Sequence, residues 1–255
     1  MTLSSDSGYR RLRHFGLLPL IFATLAACAS TSPPENDPYE NFNRSMFAVN
    51  RFGDKIIYKP LGKAYKTVVP SFARKGVNNF FDNLRTPSSA LNNFLQGKPG
   101  RGFSELARFM FNSTLGIGGL FDVAAAGDLE RFDEDFSQTL AVWGVPDGPY
   151  IVVPIWGPRT VLSAAALPVD FVTDLQRQFR DTGTRDKLYI LRLIDVRSRL
   201  LTTEELLNKS ADPYIAFREA YLQNRQFNIF DGNPPVEEDF YFFDEDEIEV
   251  LDDED

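Results

Sequence analysis

The stretch FSELARFMFNSTLGIGGLFD, residues 103–122, decides the fold class. Phe103, Leu106, Ala107, Met110, Phe111 and Leu115 recur along one side at helical spacing. Gly116, Gly118 and Gly119 then end the pattern. Phe109 to Phe121 is the longest uncharged run after the N-terminal segment, at 13 residues. A membrane-crossing helix needs about 20, so this is a helix for a core or an interface. Gly116-Ile117-Gly118-Gly119 lacks the spacing and the preceding strand of a dinucleotide fingerprint.

Working outward, the chain reads as mostly helical. Phe80, Phe81 and Leu84 predict a helix over 77–84, and Ser88 and Ser89 predict the cap of a second one running to Gln96, stopped by Gly97. Asp135 caps a helix carrying Phe136, Thr139, Leu140 and Trp143. Residues 145–158 hold Pro146, Gly148, Pro149, Pro154, Gly157 and Pro158, a loop or hairpin with Tyr150 to Val153 as its one plausible strand. An Ala-rich helix spans 160–179 with a kink expected near Pro168. Another helix spans 184–201, and Asp212-Pro213 starts a last one to about Phe227. Several apolar runs, at 86–97, 109–121, 136–146 and 148–158, suit core helices or helices lying in an interface.

The N-terminus is a targeting segment and is set aside. Arg10, Arg11 and Arg13 precede the apolar Phe15 to Thr24, and Leu25-Ala26-Ala27-Cys28 has the form of a bacterial lipobox. Cys28 is then the lipidation site, residues 1–27 the signal peptide and 28–36 a lipidated linker. Ala29, rather than Asp, fits export to the outer membrane. The mature chain has no histidine, because His14 leaves with the signal, and no free thiol. That excludes Ser-His-Asp and Cys-His chemistry, disulfides within the chain, and zinc sites built on His or Cys. Neither a catalytic residue nor a metal or other cofactor is expected; Asp133-Glu134-Asp135 reads as a solvated turn and cap.

Charge is uneven. Residues 231–255 hold 13 acidic residues and no basic one, so the acidic balance belongs to a tail expected to be disordered. Its Phe240 to Phe243 are unusual for a purely solvating segment and leave docking on a partner or membrane open. By contrast, Arg44, Arg51, Lys55, Lys59, Lys63, Lys66, Arg74 and Lys75 face one acid, Asp54, with Phe47, Phe52, Tyr58, Tyr65 and Phe72 interleaved. Cations among aromatics mark a membrane surface; the alternatives are a headgroup-facing segment and a generic solvated face. Nucleic acid is not expected for an exported, acylated chain.

Segments in a fixed order carry a family resemblance. They are Asp37-Pro38-Tyr39-Glu40-Asn41-Phe42-Asn43-Arg44, Asn92 to Gly97, Arg108 to Asp122 with Asn112, Gly116, Gly118 and Gly119, then Gln138 to Gly144, Gly148-Pro149-Tyr150, Gly157-Pro158 and Asp212-Pro213-Tyr214. The ordered set resembles the VacJ/MlaA lipoproteins over residues 37 to about 227. The resemblance implies a mainly α, ring-like body (37–230) lying in the inner leaflet of the outer membrane, with one short hairpin. It implies a polar channel, trimeric porins as partners, and a soluble periplasmic carrier protein that accepts phospholipid removed from the outer leaflet. A channel hairpin or gate falls on Gly144, Pro146, Gly148, Pro149 and Tyr150. The chain departs from the pattern at Pro146, and at Arg159, where the family has Ser and a following Arg-Asp pair. A structural lipoprotein bridging porins or envelope layers and a lipolytic enzyme are the rival readings; the first predicts no change in surface phospholipid on gene loss, the second release of fatty acid.

Overall fold

A computed structural model describes residues 37–235. Cys28, the linker and all of the acidic tail beyond Pro235 lie outside the described residues.

The body opens with a helical rod. Helix α1 (Glu40–Gly53) passes through a π-helical turn (Asp54–Tyr58) into α2 (Lys59–Val68). Helix α3 (Ser71–Leu95) is one 25-residue element with Pro87 inside it, where two helices were expected. The serines expected to cap the second helix instead bridge outward. Ser88 Oγ meets Thr173 Oγ1 at 2.8 Å, and Ser89 Oγ accepts the Glu134 N–H at 2.9 Å. Lateral contacts with five other elements hold the helix through the break that Pro87 makes in its backbone ladder.

Helix α4 (Pro99–Thr114) lies along α3, and a Gly-rich turn leads to the short α5 (Val123–Ala126). Here the glycines are sterically required. A Cβ on Gly116 would stand 2.2 Å from the Phe121 carbonyl oxygen, and one on Gly119 (φ +94°) 2.5 Å from Asn83 Cβ. Helix α6 (Phe136–Val142) is capped by Asp135, as the sequence predicts. Strands β1 (Tyr150–Val153) and β2 (Gly157–Thr160) pair antiparallel, with Tyr150 opposite Thr160 and Ile151 opposite Arg159. The second strand escaped the sequence reading because Gly157-Pro158 has no strand propensity.

Helix α7 (Val161–Thr173) starts at a Thr160–Ser163 capping box and contains Pro168; it stops six residues short of the expected end, where Asp174 caps a 3₁₀ turn (Leu175–Gln178). Helices α8 (Thr182–Leu207) and α9 (Pro213–Ile229, capped by Asp212) complete the body. The elements touch in a closed circuit: α1 to β1, β1 to β2, β2 to α7, α7 to α6, α6 to α3, α3 to α8, α8 to α2, and back through the π turn to α1.

Among the described residues the hairpin has no third strand, and helix α1 supplies the missing partner. Asn43 Nδ2 donates to the Tyr150 carbonyl at 3.1 Å, and Asn43 Oδ1 accepts the Val152 N–H at 2.8 Å. Two turns on, Asn50 Nδ2 donates to the Val153 carbonyl at 3.0 Å and Oδ1 accepts the Ile155 N–H at 2.8 Å. Seven helical residues rise about 10 Å, which matches about 10 Å for three residues of strand. The two amides therefore act as a strand edge. Asn43 is fully buried and also donates to Asp37, which accepts from Tyr214 Oη and Arg218 Nη1 as well.

Asn43→Ala is expected to leave the Tyr150 carbonyl and Val152 N–H buried without partners. Each orphan costs about 1–3 kcal/mol, so thermal unfolding should show a clear drop in melting temperature. Asn50→Ala, at a half-buried position, should cost less. Equal, negligible losses would show that the strand edge does not depend on these amides.

Candidate functional site: a polar interior walled by the hairpin

Among the described residues, burial is inverted relative to a soluble protein. Polar and charged side chains outnumber hydrophobic ones among the buried, while large apolar side chains such as Phe52, Val68, Phe72, Phe103, Met110 and Leu115 stand exposed. A monomer in water rarely leaves so much apolar surface open. No described helix is long and apolar enough to cross a membrane.

The hairpin divides the two environments. Tyr150 and Val152 face a small apolar core with Tyr214, Met46, Phe47, Tyr221 and Leu222. Strand alternation puts Ile151 and its partner Arg159 on the other face, toward α7. Arg85 from α3, Asp133 and Asp135 from the loop before α6, and Asp170 from α7 form one group of interacting charges. Arg85 pairs with Asp133 at 3.3 Å while 36% of its side chain stays accessible. Burial pushes the Asp170 carboxyl up to about 6 against the Phe136 N–H it accepts, with Asp135 adding to the rise. Asp135 is held low by the Ser137 hydroxyl and the Gln138 N–H despite its burial. Several buried polar atoms nearby, including Asn83 Oδ1, Asn93 Oδ1, Gln96 Oε1 and Gln138 Oε1, have no protein partner. Such atoms call for water. A polar cleft of about 20 Å³ between Asn83, Arg108, Asn112, Asp122 and Arg131 is the size of one water.

A strap, residues 129–135, is tied onto α3 and α4 by buried groups. Phe132 is the knot: its N–H donates to Glu105 Oε1 at 2.7 Å, and its carbonyl accepts from Asn93 at 3.1 Å and from Ser89. Arg108 donates to the Leu129 carbonyl and pairs with Asp122 at 2.8 Å, and Asn112 donates to Asp122 at 3.0 Å. This is the role of the Asn112 motif position. Burial pushes the Glu105 carboxyl up to about 7, with the Phe132 N–H and Arg108 opposing.

The expected gate segment proves to be the loop that enters the hairpin; the hairpin turn itself is Pro154 to Trp156. Gly144 (φ +88°) and Gly148 (φ +70°) both use the left-handed region. Nothing lies near a Cβ built on Gly144, whereas one on Gly148 would meet Val161 Cβ at 3.2 Å. Pro146 is exposed, Pro149 half-buried and Tyr150 buried in the core, so Tyr150 is a fixed end and not a hinge. Between the glycines, Asp147 takes a two-oxygen pairing from Arg225 at 2.6–2.9 Å and a hydrogen bond from Thr160 Oγ1 at 3.1 Å. Arg225 also donates to Ser137 Oγ at 2.9 Å. This latch was not singled out in the sequence, because its members lie 78 residues apart.

The basic segment divides. Arg44 pairs with Glu40 and Asp212 and stacks over Tyr214, and Lys59 pairs with Glu204 at 2.8 Å, so these two are turned to structural work. Arg51 is exposed and lies over the Phe47 ring. Lys55, Lys63 and Lys66 are exposed beside Phe52, Ile56, Leu61 and Val68 and form no ion pair among the described residues. Asn41 is exposed and Phe42 half-buried at the start of α1.

A sequence profile described as "MlaA lipoprotein" matches residues 35–228. The chain is 36% identical over 210 residues to the intermembrane phospholipid transport system lipoprotein MlaA of Escherichia coli strain K12, covering 80% of this chain and 83% of that one. It is 34% identical over 218 residues to the protein of the same name from Haemophilus influenzae, covering 82% and 87%. A solved chain, from work on the structural basis for maintenance of bacterial outer membrane lipid asymmetry, superposes with a TM-score of 0.67 at 36% identity over 77% of this chain and 99% of that chain.

The strap makes a pH prediction. The folded Glu105 carboxyl titrates at about 7 against an ordinary 4.5. Between these values the folded state holds more protons than the unfolded one, so stability falls as pH rises through the window. Glu105→Gln keeps an acceptor for the Phe132 N–H and should flatten that slope in part, leaving what Asp170, Glu134 and Asp195, also raised by burial, contribute. Thermal melts at pH 5, 6, 7 and 8 test this; an unchanged slope in the variant contradicts it.

Proposed function

The chain belongs to the MlaA lipoprotein family, and on that premise we propose that it moves phospholipid rather than transforming it: it removes misplaced phospholipid from the outer leaflet of the outer membrane and so maintains lipid asymmetry. The observation that carries this reading is the inverted burial. An exposed apolar exterior suits hydrocarbon, and a polar interior offers a headgroup a path that acyl chains can follow along the outside. No bond need be made or broken, which agrees with a mature chain that has no histidine and no thiol.

The finer reading has four parts. Cys28 carries the acyl anchor, and two or more chains there give stable attachment. The body lies in the inner leaflet, with Arg51, Lys55, Lys63 and Lys66 reaching phosphates while Phe52, Ile56 and Val68 enter the acyl region. Trimeric porin is the lateral partner, and a soluble periplasmic carrier receives the lipid. The loop 144–149 is the gate, hinged at Gly144 and Gly148 and latched by Asp147 and Arg225.

The experiment is chemical probing of surface phospholipid in cells lacking the gene and in cells complemented with variants. Deletion should raise surface phospholipid, and Gly148→Val should fail to restore it because the new side chain strains the backbone and meets Val161. Gly144→Val, with open space around it, costs about 1–2 kcal/mol of backbone strain alone and should restore clearance in part. No rise on deletion would contradict the function; full clearance by both variants would reduce the loop to a passive turn.

A further inference from the structure

The turn of the hairpin keeps a strained backbone and an apolar tip in the open. Ile155 follows Pro154 with φ +71°. Glycine or asparagine is the ordinary choice at that place in a turn, and a β-branched residue there is a steric outlier. The Ile155 N–H donates to Asn50 Oδ1 at 2.8 Å, so helix α1 enforces the conformation. Little packing within the chain offsets the strain, because 75% of Ile155 and 45% of Trp156 are accessible. Strain kept at such a point is a pointer to function.

A cation is braced beside the tip. The Trp156 and Phe171 rings stand 6.4 Å apart. The Arg177 guanidinium lies 4.8 Å from the centre of the Phe171 ring and 4.8 Å from that of Tyr189. Its backbone is fixed in the 3₁₀ turn, where the Arg177 N–H donates to the Asp174 carbonyl at 2.9 Å and the adjoining buried Gln176 accepts from Arg192 at 3.0 Å. Among the described residues no acid pairs with Arg177 and no acceptor meets its side chain. The flanking acids are engaged, Asp174 with Arg192 at 2.6 Å and Asp181 with the Thr184 N–H at 2.6 Å. The Trp156 indole N–H likewise has no acceptor among the described residues.

We propose that Arg177 and the hairpin tip form a binding site for one phospholipid of the surrounding leaflet, recognised by its phosphate diester. A guanidinium stacked on two rings keeps its edge, where the donors are, for a phosphate. Trp156 takes headgroup depth, with its N–H available to an ester oxygen. Ile155, at the tip, enters the acyl region. With no acid paired to Arg177, the group beyond the phosphate is not read, and phosphatidylglycerol is held at least as well as phosphatidylethanolamine. The inference rests on the lipid-handling reading and adds a contact at the hairpin to the basic face of α1 and α2.

The test is a fluorescence titration of the full lipidated protein in maltoside detergent, with Trp143→Phe leaving Trp156 as the only indole. Dihexanoyl phosphatidylglycerol should shift the Trp156 emission to the blue and saturate. Arg177→Gln should weaken half-saturation about tenfold, the loss of one charge-assisted hydrogen bond. Arg177→Lys, which keeps the charge without the planar fork, should fall between. Ile155→Gly relieves the left-handed strain, so the melting temperature should hold or rise while affinity drops about fivefold with the lost apolar contact. Unchanged affinity in Arg177→Gln overturns the proposal. If Arg177→Gln lowers the melting temperature, Ile155→Gly carries the test, and unchanged affinity there overturns it. No shift before either substitution, or an equal one with glycerophosphoglycerol or inorganic phosphate at the same concentration, removes the lipid assignment. A shift that follows protein concentration instead of lipid assigns the tip to a second copy of the chain and equally contradicts the proposal. Surface phospholipid unmoved by gene deletion would count against the lipid-handling reading and leave the outcome of this titration as it stands.

Discussion

Two asparagine amides on one helix stand in for a strand, and the rest of the architecture depends on that substitution. A two-stranded hairpin is marginal alone in water. Here Asn43 and Asn50 satisfy four backbone groups of β1 and its turn from a helix, which fixes both the register and the tilt of the hairpin. Once fixed, the hairpin has two unlike faces. Tyr150 and Val152 close a small apolar core, and Ile151 and Arg159 stand on the opposite face. The Asp147–Arg225–Ser137 latch then ties the loop before the hairpin to α9 and α6.

The inverted distribution of polarity follows from the same frame. Long helices, α3 and α4 above all, spend their polar faces inward on Asn83, Asn92, Asn93, Glu105, Arg108 and Asn112. Their apolar faces are left outward. Buried polar groups of this kind are stabilising only when each finds a partner, and the knot at Phe132 provides several at once. The unpaired amide oxygens that remain mark where water, or a polar passenger, completes the network. Chemistry on bonds needs a nucleophile or a tuned acid and base; the described residues instead bury polar side chains and expose apolar ones.

Much of this was legible in the sequence where the cause is local. Asp135 and Asp212 cap the helices they were expected to cap, because an N-cap needs only its own next turn. The 13-residue uncharged run set the limit against a spanning helix. Gly116 and Gly119 were read as a break, though their steric necessity depends on Asn112, Phe121 and Asn83 and is visible only in three dimensions. Causes that are not local were missed. Ser88 and Ser89 predict a helix boundary, yet tertiary contacts carry α3 straight through it, Pro87 included. Gly157-Pro158 hides a strand. Asn50 looks like any helix-surface amide until its partner strand, 103 residues on, is in view. Arg44 and Lys59 belong to a basic stretch in the sequence and to ion pairs in the fold.

The central claim is that the interior is wet and the exterior faces hydrocarbon, and accessibility to a water-soluble thiol reagent tests it most directly. Single cysteines placed at Arg85, inside, and at Met110, 65% exposed on the apolar face of α4, are to be treated in membranes with a charged maleimide. The account predicts labelling at position 85 and protection at position 110 until detergent is added. Ready labelling at 110 with silence at 85 would contradict it.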